Sequence, residues 1–142
     1  MQLNNPSLFR EQCYINGEWC DADNGATFAV TNPATGAVVG HVPQMGATET
    51  NRAIAAADAA MKDWAARTAK ERASVLRKLY ELMLANQEDL AQIMTAEQGK
   101  PLAEARGEIM YAASFIEWFA EEGNRIYGDV IPAGIPGQRP FV

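Results

Sequence analysis

The residues that most constrain this chain are Leu102, Ala105, Ile109, Ala112, Ile116, Phe119, Gly123 and Ile126, which recur at steps of three and four. That spacing is the repeat of one helix face, and it predicts a single long helix that nothing interrupts before Gly128. Gly99 and Pro101 mark its start. Glycine is favoured just past a helix end, and proline just inside a helix start. A second row, Tyr111, Phe115 and Trp118, lies roughly 100° round the helix from the first. One apolar row suits a helix on the outside of a small bundle. Two rows, one of them aromatic, call for neighbours on two sides, more than the preceding helices supply.

Upstream, the period of the pattern is two before it becomes 3.6. Cys13-Tyr14-Ile15 and Glu18-Trp19-Cys20 flank Asn16-Gly17, the dipeptide that best tolerates both positive φ angles of a type I′ turn, so a two-stranded hairpin is expected. Thr27 to Thr31 and Val38 to Val42 form a second pair of β-prone runs around the turn Asn32-Pro33-Ala34-Thr35-Gly36. Two small hairpins are not stable alone in water and must lie against something larger. From Thr48 the helical period takes over, with Ile54, Ala57, Met61 and Trp64 on one face. Thr68 with Glu71 is a capping-box pair that opens a second helix carrying Ala73, Leu76, Tyr80 and Met83. Asn86-Gln87-Glu88-Asp89 either caps a fresh short helix carrying Leu90, Ile93 and Met94, the reading preferred here, or lies within a continuing second helix.

Composition narrows the function classes. A length of 142 residues with 48% apolar and 21% charged residues describes one ordered domain. A net charge of −6 and a pI near 4.8 argue against a nucleic-acid partner, whose phosphates would be repelled. No run approaches the roughly 18 apolar residues of a membrane span, and the amino end MQLNNPSLFREQ lacks a signal peptide's apolar core. No membrane association and a cytoplasmic location are expected. The only two cysteines, Cys13 and Cys20, sit on the two arms of the first hairpin, so a bridge between them is geometrically possible. With His41 the only histidine, neither a zinc site nor a cysteine-histidine nucleophile is expected, and both thiols read as structural. The acidic residues Glu117, Glu121 and Glu122 read as a solvated face, with Arg125 four residues after Glu121 as an i,i+4 pair.

The ordered series YINGEW, VTNPATG, AIAAADAAMKDW, TAKERASVLRKL, EQGKPLAEARGEI and FIEWFAEEGNRIYG resembles the amino-terminal part of the aldehyde dehydrogenase superfamily. Within it, the chain is most similar to bacterial succinate-semialdehyde dehydrogenases and their glutarate-semialdehyde relatives. The resemblance implies an α/β fold in which small hairpins (about 13–43) and three or four amphipathic helices (about 48–127) pack on a Rossmann-like sheet absent from this chain. Residues 1–130 would then be the first part of the NAD(P)-binding domain, and 131–142 the truncated start of an oligomerisation arm.

The family's chemistry, by the same resemblance, oxidises an aldehyde to an acid through a cysteine thioester, with hydride passing to NAD or NADP. None of the catalytic or cofactor-binding residues falls on a matching position here, so the segment alone is expected to be inactive. Two lesser features do carry over. The carbonyls of Val30 and Thr31 and the carboxylate of Glu97 match a monovalent-cation (Na or K) site of several family members, although Glu97 also reads as a plain helix-end residue. Tyr111 and Phe115 match the wall of the substrate tunnel, although aromatic residues at this spacing also read as plain core. The implied partners are the rest of the same polypeptide, a small aldehyde and further copies of the chain in a dimer or tetramer. The competing readings are a stand-alone helical interaction module, which would use the surplus apolar face, and a dehydrogenase for glutarate semialdehyde or betaine aldehyde.

Overall fold

A computed structural model describes residues 1–142, and it contains two antiparallel hairpins followed by four helices. Strands β1 (Cys13–Ile15) and β2 (Glu18–Cys20) pair with Cys13 opposite Cys20 and Tyr14 opposite Trp19. Asn16 and Gly17 take φ angles of 51° and 89°, the left-handed conformations that the tight turn demands. Strands β3 (Thr27–Thr31) and β4 (Val38–Pro43) form the second pair, with a register shift between Val30 and Thr31 where β4 carries one extra residue. The two sheets stay separate.

The polar leader is tied down at two points. Asp89 accepts the backbone N–H groups of Asn4 at 2.9 Å and Asn5 at 2.7 Å, so residues 1–8 dock on the third helix. Glu11 accepts the His41 N–H at 2.6 Å, and Phe9 lies over Gly40, where a Cβ would come within 2.9 Å of the ring. Glycine at position 40 is what lets the leader approach β4.

Helix α1 (Ala47–Ala66) begins where Glu49 reaches back to the Gly46 N–H and also accepts the Asp23 N–H, each at 3.0 Å. Its own backbone N–H first, and then these two bonds, hold the Glu49 carboxyl below its ordinary value, and the residue is buried. Arg52 adds an ion pair with Asp23 at 2.8 Å. Beyond this first turn α1 meets the tip of the first hairpin through Ala53 and Ala56. Its predicted apolar row is not covered, with Ile54 and Met61 exposed.

Helix α2 (Ala69–Ala85) starts with the expected capping box, Thr68 and Glu71 exchanging hydrogen bonds. Asn86 then separates it from α3 (Gln87–Gln98). Its predicted row of Ala73, Leu76, Tyr80 and Met83 is half-buried. Helix α4 (Leu102–Glu122) packs against both α2 and α3. The central cluster is Ala91, Ala105 and Ile109, with Leu90, Met94 and Leu102 around it. Alanine at the crossing lets the helix backbones approach closely.

Four expectations for α4 and the turn after it are corrected. Pro101 stands at the N-cap rather than inside the helix, its carbonyl accepting the Ala105 N–H. The helix ends at Glu122, not near Gly128, because the chain tightens there: Asn124 and Arg125 donate to the carbonyls of Glu121 and Glu122, and Ile126 is exposed. The covered face is Ala105, Ile109, Ala113 and Ala120, so Ala112 and Phe119 of the predicted row lie outside it. The loss of helix past Glu122 also removes the i,i+4 pair expected of Arg125. It pairs with Glu122 instead, and Arg77 of α2 takes Glu117 and Glu121 at 2.8 and 2.9 Å.

After α4 the chain doubles back, Val130 bridging Phe141 and Asp129 exchanging hydrogen bonds with Val142. Only nine of the 142 residues are buried, and aromatic side chains of α4 stand in the open. The helices therefore carry more apolar surface than they cover for one another. No helix is long and apolar enough to cross a membrane.

Candidate functional site

The carried-over cation residues lie on the two sides of a corner where the second hairpin meets the end of α3. Its first half is the Asn32–Gly36 turn. The Asn32 side chain accepts the Ala34 N–H at 2.9 Å, its carbonyl accepts the Gly36 N–H at 2.8 Å, and Gly36 closes the turn at a φ of 72°. Its second half is Gly99, which ends α3 in the left-handed conformation with φ 81° and donates to the Thr95 carbonyl at 2.9 Å. Pro33 lies on Gly99 so closely that a Cβ there would sit 2.8 Å from the proline Cγ. The contact keeps the end of β3 beside the last turn of α3.

Val30 is half-buried and Thr31 exposed on β3, at the register shift, and Glu97 is exposed in the last turn of α3. The neighbouring Lys100 forms an ion pair with Glu108 of α4. The last turn of α3 holds no basic residue. A carboxylate at that end faces the negative pole of the helix, an arrangement that a cation relieves. Backbone carbonyls and carboxylates are the oxygen donors that hard cations take. No group of three or more His, Cys, Asp or Glu side chains stands close enough together to hold a metal ion.

The second carried-over pair is on α4. The rings of Tyr111 and Phe115 meet edge to face, centroids 4.9 Å apart at 83°. Both are exposed, and so are Trp118 and Phe119 one turn on. A surface groove on this side is lined by Ser114, Phe115, Glu117, Trp118, Phe119 and Glu121. Within this chain the aromatic row is therefore not core. It is separate from the Glu97 corner, being on the middle and end of α4 rather than the α3 terminus.

Two features of these sites have no counterpart in the sequence reading. The Pro33 and Gly99 contact joins residues far apart in the chain, and no local pattern announces it. The buried Thr95 hydroxyl, one turn before Gly99, has no hydrogen-bond partner, an unusual state for a buried polar atom.

With this geometry in hand, similarity to known proteins decides the family. The aldehyde dehydrogenase family model matches residues 19–142. The chain belongs to that family. A glutarate-semialdehyde dehydrogenase of Pseudomonas putida is 66% identical over all 142 residues, which span 30% of that protein. The NADP(+) succinate-semialdehyde dehydrogenase of Escherichia coli K12 is 64% identical over the same residues, again 30% of its length. The crystal structure of a succinate-semialdehyde dehydrogenase from Burkholderia pseudomallei superposes with a TM-score of 0.93 at 59% identity, covering 98% of this chain and 29% of that one. The fold is thus the amino-terminal part of an aldehyde dehydrogenase, α/β in class, with four helices where three or four were expected. The chain spans about a third of the curated relatives it matches.

Proposed function

We propose that this chain is the amino-terminal segment of an NAD(P)-dependent semialdehyde dehydrogenase. The observation that carries the reading is identity above 60%, end to end, to a glutarate- and a succinate-semialdehyde dehydrogenase. The substrate is a short semialdehyde that already bears a carboxylate. Succinate semialdehyde and glutarate semialdehyde are both supported by the relatives, which sets glutarate semialdehyde beside the succinate semialdehyde preferred from the sequence.

In the complete enzyme a cysteine thiolate would add to the aldehyde carbonyl, loss of hydride would turn the resulting hemithioacetal into a thioester, and water would cleave that to the acid and the free thiol. A bound nicotinamide would supply the hydride acceptor. Cys13 and Cys20 take no part, since neither lies in a nucleophile motif and no histidine accompanies them. The residues of this segment bind and position. The exposed faces of α1, α2 and α4 pack on the rest of the polypeptide, and Tyr111 and Phe115 line the aldehyde's path from α4. The carbonyls of Val30 and Thr31 with the Glu97 carboxylate hold Na⁺ or K⁺ and so brace the β3 and α3 corner. Residues 131–142 lead into an arm through which copies of the enzyme assemble, and the segment by itself is inactive.

The test is to assay the complete gene product with succinate semialdehyde, glutarate semialdehyde and betaine aldehyde, each with NAD and NADP. Turnover of the two carboxylated aldehydes with betaine aldehyde inert is the expected result. Preference for betaine aldehyde, or no nicotinamide reduction with any of them, overturns the reading. The cation part is read separately: Glu97→Gln should remove any gain in melting temperature on replacing tetramethylammonium chloride by NaCl or KCl. An equal gain in the variant removes Glu97 from the site.

A further inference from the structure

The first hairpin holds a feature the dehydrogenase reading does not use. Cys13 and Cys20 are direct register partners at the open end of the β1 and β2 ladder, and both are half-buried free thiols. Directly opposite residues of an antiparallel pair project from the same face of the ribbon. The Cys20 Sγ already reaches across the strand, 3.4 Å from the Cys13 carbonyl oxygen, to which its thiol donates. In a two-residue hairpin the closing pair, Ile15 and Glu18, is hydrogen-bonded, and alternation makes Cys13 and Cys20 hydrogen-bonded too. Such pairs keep their Cα atoms about 5.5 Å apart, inside the window that a disulfide spans. The ladder ends at these two residues, so the backbone beyond them is free to adjust to a bridge.

We propose that Cys13 and Cys20 form a redox-active pair that a peroxide or a small-molecule disulfide converts to an intramolecular disulfide. With a peroxide, the Cys20 thiolate attacks one oxygen: an S–O bond forms, the O–O bond breaks and hydroxide leaves. The Cys13 thiol then attacks the sulfenic sulfur. An S–S bond forms, the S–O bond breaks and water leaves, so two electrons pass from the two sulfurs to the peroxide. With a small-molecule disulfide, Cys20 first forms the mixed disulfide, and Cys13 resolves it by displacing the second thiol.

The bridge closes a loop of only eight residues and spans a hydrogen-bonded pair, so it is easily reduced. In a compartment poised by reduced glutathione the pair stays as two thiols. Oxidation then locks the hairpin whose tip faces Ala53, Ala56, Ala57 and Ala60 of α1.

The experiment uses the 142-residue chain, reduced, desalted and exposed to hydrogen peroxide or to oxidised glutathione, with intact mass as the readout. The expected product is a monomer lighter by about 2 Da, with both thiols lost to a thiol reagent and recovered with dithiothreitol. Cleavage after Glu18 separates the two cysteines in sequence, so the resulting peptides stay joined until reduction. Cys13→Ser should instead keep glutathione bound at Cys20. A wild-type chain that ends as a stable glutathione adduct, a sulfinic acid, a disulfide-linked dimer or an unreacted dithiol overturns the proposal.

Discussion

Pro33 lies against Gly99, with its Cγ where a side chain on residue 99 would begin. The glycine is needed twice: for its φ of 81° and for the space its missing Cβ leaves. This one contact joins the turn after β3 to the end of α3.

Gly99→Ala should therefore destabilise the chain by about 2–3 kcal/mol, roughly 1 kcal/mol from the left-handed backbone and the rest from the proline overlap. Adding Pro33→Ala to it should recover the second part only. Urea unfolding of the two variants measures both, and a Gly99→Ala chain as stable as the parent refutes the contact.

Asp89 is 2% exposed and holds the leader through Asn4 and Asn5. Asp89→Ala leaves two backbone N–H groups without their acceptor and should cost about 2–3 kcal/mol. More specifically, the Asn4 and Asn5 amides should lose hydrogen-exchange protection while those of α4 keep theirs. Protection lost evenly across the chain would show instead that the leader is not held by this residue.

The Glu49 carboxyl is held below its ordinary value of 4.5, first by its own backbone N–H and then by those of Asp23 and Gly46. A depressed carboxylate adds stability that is complete above the unfolded-state value and disappears as pH falls through the lower folded-state one. Part of the stability of this chain should thus be lost below about pH 4.5. Glu49→Gln should be less stable than the parent at pH 7 and should converge on it in acid. Parallel pH profiles of the two chains rule out this contribution.

The open aromatic row of α4 predicts self-association of the 142-residue chain in solution, since Tyr111, Phe115, Trp118 and Phe119 stand exposed together on one helix. Replacing Trp118 and Phe119 by Ser and Glu should shift sedimentation toward monomer without loss of helix content. A parent chain that sediments as a monomer at high concentration, with a sharp cooperative melt, contradicts the expectation.

Much of the local structure was legible in the residues. Asn16-Gly17 announced the first turn, Thr68 with Glu71 the start of α2, Asn86 the break before α3 and Gly99 its end, because each acts through its own backbone preference. The site was less legible. The family resemblance, rather than any residue chemistry, singled out Val30, Thr31, Glu97, Tyr111 and Phe115. The end of α4 was misread because an apolar repeat continues to Ile126 while the backbone turns at Gly123.

What the sequence determines by itself is therefore short-range: turn dihedrals, caps and the helical period, all set within a few residues by sterics and hydrogen bonding. Only the tertiary structure decides which apolar row is covered. The wheel of α4 offers two faces of similar hydrophobicity, and small side chains settle the matter, since Ala105, Ala113 and Ala120 let α2 and α3 come close where Tyr111, Phe115 and Trp118 would hold them off. The same holds for Pro33 on Gly99, a meeting of residues whose separate preferences say nothing of the other, made when packing brings their elements together.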